Sequence, residues 1–139
     1  MLRKYNYNLE TGTIGTNDDN IANILYNINR MEMDKFYSSD DLKEIDEDLG
    51  ELFFMIAESR VHLNRFLKIS GEKVKPETVQ TVSAALENAT QTVRESRLDG
   101  RMNEANTEQL CTVFTTVYEN LLAIVPAVLE LDDQAVGRV

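Results

Sequence analysis

Cysteine is nearly missing from this chain. Cys111 has no second thiol to pair with internally, so no disulfide framework holds the fold and no oxidising compartment is signalled. There is one histidine, His62, which excludes di-iron bundles built on two Glu-x-x-His repeats and any nucleophilic triad without it. Long apolar runs are missing too: the longest, "LLAIVPAVL" at residues 121–129, is far short of the ~20 residues that a membrane span requires. The start "MLRKYNYNLETG" has basic residues with no apolar stretch behind them, so no secretory signal is visible and the expected location is the cytoplasm. Bases are outnumbered, 14 against 24 acids, for a net charge of −10. Direct nucleic-acid binding and adhesion to an anionic membrane both need a basic footprint, and both are disfavoured. No P-loop, Gly-x-Gly-x-x-Gly, Cys-x-x-Cys or calcium-loop spacing occurs.

What is present is helical periodicity. With 139 residues, 42% hydrophobic and 27% charged, the chain suffices for one domain with a real core. Residues 1–15 alternate in polarity around "ETG" and read as a short β-hairpin or extended arm. Residues 16–139 read as a single helical-bundle domain. Thr16 and Asp19 have capping-box spacing before a first helix over 17–31, with Ile21, Ile24, Leu25 and Ile28 on one face. A second helix, capped by Ser39 and stopped at Gly71, carries the seam Leu42, Ile45, Leu49, Leu52, Ile56, Leu63 and Phe66. Pro76 suits the first turn of a third helix over 76–98, striped by Val79, Val82, Leu86, Ala89 and Val93. A fourth, from Asn106 or Thr107 to about Leu131, turns Leu110, Phe114, Val117, Leu121, Ile124 and Val128 inward. A kink near Leu122 is expected from Pro126, and "DDQAVGRV" reads as a frayed tail. The expected fold is an all-α antiparallel bundle of about four helices.

Charge is unevenly placed. Residues 16–58 carry twelve acids and three bases, whereas residues 59–101 carry eight bases and five acids. The second helix is therefore acidic at its start and basic at its end (Arg60, Arg65, Lys68), as the helix macrodipole favours. The same polarity would let opposite halves attract in an antiparallel dimer or on a bound partner. Cys111 lies beside Leu110 and Phe114 and reads as a small buried hydrophobe.

Glu44, Glu47, Asp48 and Glu51 share one helical face, a pattern that can bind a cation. The stretch "EDLGELFFMIAESRVHL" resembles the second motif of the all-α nucleoside-triphosphate pyrophosphohydrolases. That resemblance implies a Mg²⁺-dependent hydrolase, with Asp48 and Glu51 standing for a Glu-x-x-Asp pair. The family's other pair, Glu-x-x-Glu, belongs on the preceding helix, where "NIANILYNINR" holds no carboxylate. A 100° step per residue points Glu44, Glu47 and Glu51 away from the apolar seam. An acidic surface over 32–58 could instead imitate DNA toward a basic DNA-binding protein.

The apolar stretch "LFFMIA" weighs more than the acids. Its seam uses Leu52 and Ile56; Phe54, Met55 and later Val61 project elsewhere and need cover. The expectation is a non-catalytic, acidic helical protein that binds another protein as regulator, inhibitor or assembly component, and that self-associates, as a homodimer. No cofactor or metal is required. The expected contact residues are Phe54, Met55 and Val61, rimmed by Glu47, Glu51 and Glu58.

Overall fold

The computed structural model describes residues 16–31, 42–96 and 107–137. Within these, α1 spans Asp19–Arg30, α2 Leu42–Ser70, α3 Pro76–Ser96, α4 Thr107–Ala123 and α5 Val125–Ala135, and a single 3₁₀ turn, Gly71–Lys73, follows α2. The described residues are all-α. The expected hairpin or arm at residues 1–15 and the Ser39 cap lie outside the described residues, as do residues 97 and 98 at the expected end of the third helix.

Each helix buries the stripe that its periodicity sets. Ile21, Ile24, Leu25 and Ile28 of α1 meet Ile45, Leu49, Leu52, Ile56, Leu63 and Phe66 of α2 in one core. Val82, Leu86, Ala89 and Val93 of α3 join them, as do Leu110, Phe114, Val117 and Leu121 of α4 and Val128, Leu129 and Leu131 of α5. Fully burying one such leucine, isoleucine or phenylalanine contributes about 1.5–3 kcal/mol, so this shared core dominates the stability. Ser59 interrupts the α2 seam without an energetic gap. Its Oγ donates to Met55 O at 2.9 Å and accepts from Asn27 Nδ2 at 3.2 Å. Buried and satisfied, this polar pair fixes how α1 lies on α2.

Contacts along α1 run from Asn20 to Arg30 while their α2 partners run back from His62 to Glu51, so the two helices are antiparallel. On the other flank of α2, the Arg94 guanidinium of α3 stands 5.7 Å over the Phe53 ring. Thus α2 is held from both flanks and from the core side, and its remaining face is outward.

Two local expectations need correction. The α1 cap is Asp18, not Thr16: the Asp18 carboxylate accepts from Asn20 N at 2.8 Å and Ile21 N at 3.2 Å, while Thr16 Oγ1 donates to Asp18 O. α2 ends at Ser70, so Gly71 follows its last residue as expected, and the chain tightens there into the 3₁₀ turn Gly71–Lys73. Pro126 does more than kink the last helix. It sits in the first turn of α5, where its missing N–H is harmless, and Ile124 breaks the chain into two helices. By length and composition alone Leu110–Ala135 resembles a membrane span, yet it bends at Ile124 and its inward stripe lies in the core.

The tail is the largest departure. Asp132, Asp133 and Gln134 are helical and buried rather than frayed. Asp132 accepts from Asn17 N, Asn17 Nδ2 and Asp18 N at 2.9–3.1 Å. Gln134 Oε1 accepts from Lys75 N at 2.8 Å, and its Nε2 donates to Thr78 Oγ1 and Glu130 Oε1, both at 3.2 Å. The end of α5 therefore caps the starts of both α1 and α3.

Candidate functional site: the outward face of α2

On α2, the buried positions Ile45, Leu49, Leu52, Ile56, Ser59, Leu63 and Phe66 define one side of the cylinder. The opposite side, half a turn away, presents Glu47, Glu51, Phe54, Val61, Arg65 and Lys68, all exposed. Phe54 is 58% exposed and Val61 46% exposed, with exposed Ala57 between them. Together with Glu58, His62 and Arg65 they line an open depression of about 450 Å³.

The six expected contact residues divide accordingly. Phe54, Val61, Glu47 and Glu51 face solvent. Glu58 is half-buried at the α1 border, accepting from Asn27 Nδ2 at 3.2 Å. Met55 is a correction: at 3% exposure it belongs to the core and is removed from the surface set. One 100° step from Phe54 turns its side chain back toward the side occupied by α1.

Glu44, Glu47 and Glu51 are exposed and Asp48 is half-buried. Burial, then the charges of Glu51, Glu44 and Glu47, push the Asp48 carboxyl above its ordinary value. On the α1 side, the nearby charged group is Arg30, 3.9 Å from Glu51 and 5.6 Å from the Tyr26 ring centroid. Facing α1 contributes a guanidinium where the pyrophosphohydrolase resemblance requires two carboxylates. Among the described residues no group of three histidine, cysteine or acidic side chains is placed to hold a metal ion.

His62 has a structural partner: its Nδ1 lies 3.1 Å from Asn20 Oδ1. That oxygen can only accept, so Nδ1 carries the proton of this bond. Cys111 is half-buried and packs against the core rather than within it. Sequence reasoning missed the partners of Asn20 and Asn27. Their signal was present in the count of asparagines on an otherwise apolar helix, each a poor helix former that needs a reason to be there.

No family model, no curated protein and no solved structure matches this chain.

Proposed function

We propose that this chain is a non-catalytic cytoplasmic protein that binds another protein, as a regulator, inhibitor or assembly component, through the outward face of α2. The observation that carries the reading is the exposure of Phe54 and Val61 on the side of α2 opposite the core. A phenylalanine left in water forgoes much of the ~1.5–3 kcal/mol that burial would contribute, which is a sizeable share of a marginal stability. A partner recovers that term. The rim of Glu47, Glu51, Arg65 and Lys68 supplies charge that orients an encounter more than it adds affinity.

The test is Phe54→Asp, compared with wild type by affinity capture from the source cell with mass spectrometry, and by sedimentation. Because Phe54 is exposed, the helical circular dichroism and melting temperature stay near wild type. The reading expects loss of the captured protein or of the oligomer. An unchanged capture and an unchanged oligomer, with the fold intact, would remove this face from consideration.

A further inference from the structure

The outward face of α2 carries a second heptad seam, distinct from the one in the core. Glu47, Glu51, Phe54, Glu58, Val61, Arg65 and Lys68 alternate four and three residues apart, the a/d spacing of paired helices. The order of chemistry along it is acid, acid, apolar, acid, apolar, base, base. Read backwards, the two charges at each end invert and the apolar positions keep their place, while the half-buried Glu58, held by Asn27, meets its own counterpart at the centre. Ends that complement their own reverse suit an isologous two-fold contact, in which residue i of one copy meets j of the other and j meets i.

Resting on the reading that this face binds protein, we propose that its occupant is a second copy of the chain, with the two α2 helices antiparallel. A two-fold axis between Ala57 and Glu58 sets Phe54 beside Val61 of the second copy and Glu47 beside its Lys68. Glu51 then lies across from Arg65 within one residue's rise. Both members of the outer pair are exposed, and neither Glu47 nor Lys68 has a hydrogen bond or ion pair within the described chain. The depression between Phe54, Ala57, Val61 and Arg65 receives the Phe54 ring of the second copy. The seam runs about 32 Å along the helix, from 1.5 Å per residue. Parallel pairing is disfavoured, because it would set Glu47 against Glu47 and Lys68 against Lys68. Tyr26 and Arg30 of α1 flank the same face and widen the contact. With only Phe54, Ala57 and Val61 apolar at its centre, the dimer is concentration-dependent and salt-sensitive rather than permanent.

Sedimentation equilibrium over a wide concentration range, at low and high salt, tests this with wild type, Glu47→Lys and Lys68→Glu. Both substitutions are at exposed positions, and circular dichroism verifies the fold. Each single variant places like charges in both outer pairs, and its dimer is expected to be at least ~10-fold weaker than wild type. Mixing the two variants makes both pairs opposite again, so a heterodimer close to wild-type affinity is expected. A monomeric wild type throughout, two variants that dimerise like wild type, or a mixture that stays monomeric would each overturn the pairing. The protein-binding reading is judged separately: a monomer whose Phe54→Asp variant loses capture of a different protein keeps that reading and loses only the second copy as occupant.

Discussion

The Asp132 carboxylate, fully buried near the end of α5, accepts the backbone N–H of Asn17 at 3.0 and 3.1 Å across 115 residues of sequence. It takes the Asp18 N–H and the Asn17 side-chain amide as well. One acceptor group thereby satisfies donors at the entrance of α1 that the helix itself cannot pair. Truncation by Asp132→Ala removes all of these bonds and leaves the part-buried donors of Asn17 and Asp18 without this acceptor. A loss of about 1.5–3 kcal/mol is expected from the lost bonds to a charged acceptor, read as a lowered urea midpoint with little change in slope. Asp132→Asn retains one acceptor oxygen and is expected to lose less.

Gln134 plays the same part for α3. Its Oε1 caps the Lys75 N–H at 2.8 Å and its amide reaches Thr78 Oγ1. Gln134→Ala is expected to lower stability by about 1–3 kcal/mol, since both the amide and the hydroxyl lose a buried partner. Gln134→Glu discriminates charge from shape: it keeps the acceptor for Lys75 but abandons the donor to Thr78 and places a second carboxylate beside Glu130. Thermal melts should rank wild type above Gln134→Glu at neutral pH, with the gap narrowing in acid.

The junction of α1 and α2 offers a coupling measurement. Asn27 Nδ2 donates to both Ser59 Oγ and Glu58 Oε1, and Ser59 Oγ in turn donates a hydrogen bond to Met55 O. Asn27→Ala and Ser59→Ala in a double-mutant cycle are expected to show a coupling of roughly 0.5–1.5 kcal/mol, as for residues sharing one hydrogen-bond network. Additivity within error would mean that the two side chains act independently.

These polar ties mark the boundary of what the sequence discloses. Apolar stripes are local: Ile45, Leu49, Leu52, Ile56, Leu63 and Phe66 repeat within one helix, and every one of them is buried as expected. For Phe54 and Val61 the periodicity showed only that they project away from the seam and need cover; whether the bundle or a partner supplies it was not legible, and in the structure both are exposed. Asp132 and Gln134 were misread because their partners lie 115 and 59 residues away, and no local pattern separates an acid that caps a distant helix from one in a solvated tail. Met55 failed for a smaller reason. It sits at the edge of the stripe, and only the position of α1 decides which edge is covered. The break at Ile124 followed from Pro126, but a kinked helix and two helices share the same sequence signal.

Asp48 supplies a pH-dependent test of the acidic start of α2. Its carboxyl titrates above the ordinary range, first through burial and then through Glu51, Glu44 and Glu47. A carboxyl raised on folding binds more protons in the native state than in the unfolded one between the two values. Its contribution to stability is therefore complete below the unfolded value and is lost as pH rises through the folded one. At neutral pH the ionised Asp48 is a burden, and Asp48→Asn, which removes the charge while keeping the shape, is expected to melt at a higher temperature than wild type. The advantage should shrink as pH falls and vanish once the wild-type carboxyl is protonated in both states. Melting curves of the two proteins from neutral pH to about pH 3 check this, staying where the remaining carboxylates still leave the fold intact. A variant no more stable than wild type at neutral pH would show that water and counter-ions already neutralise the cluster. A gap that widened in acid would reverse the sign of the argument.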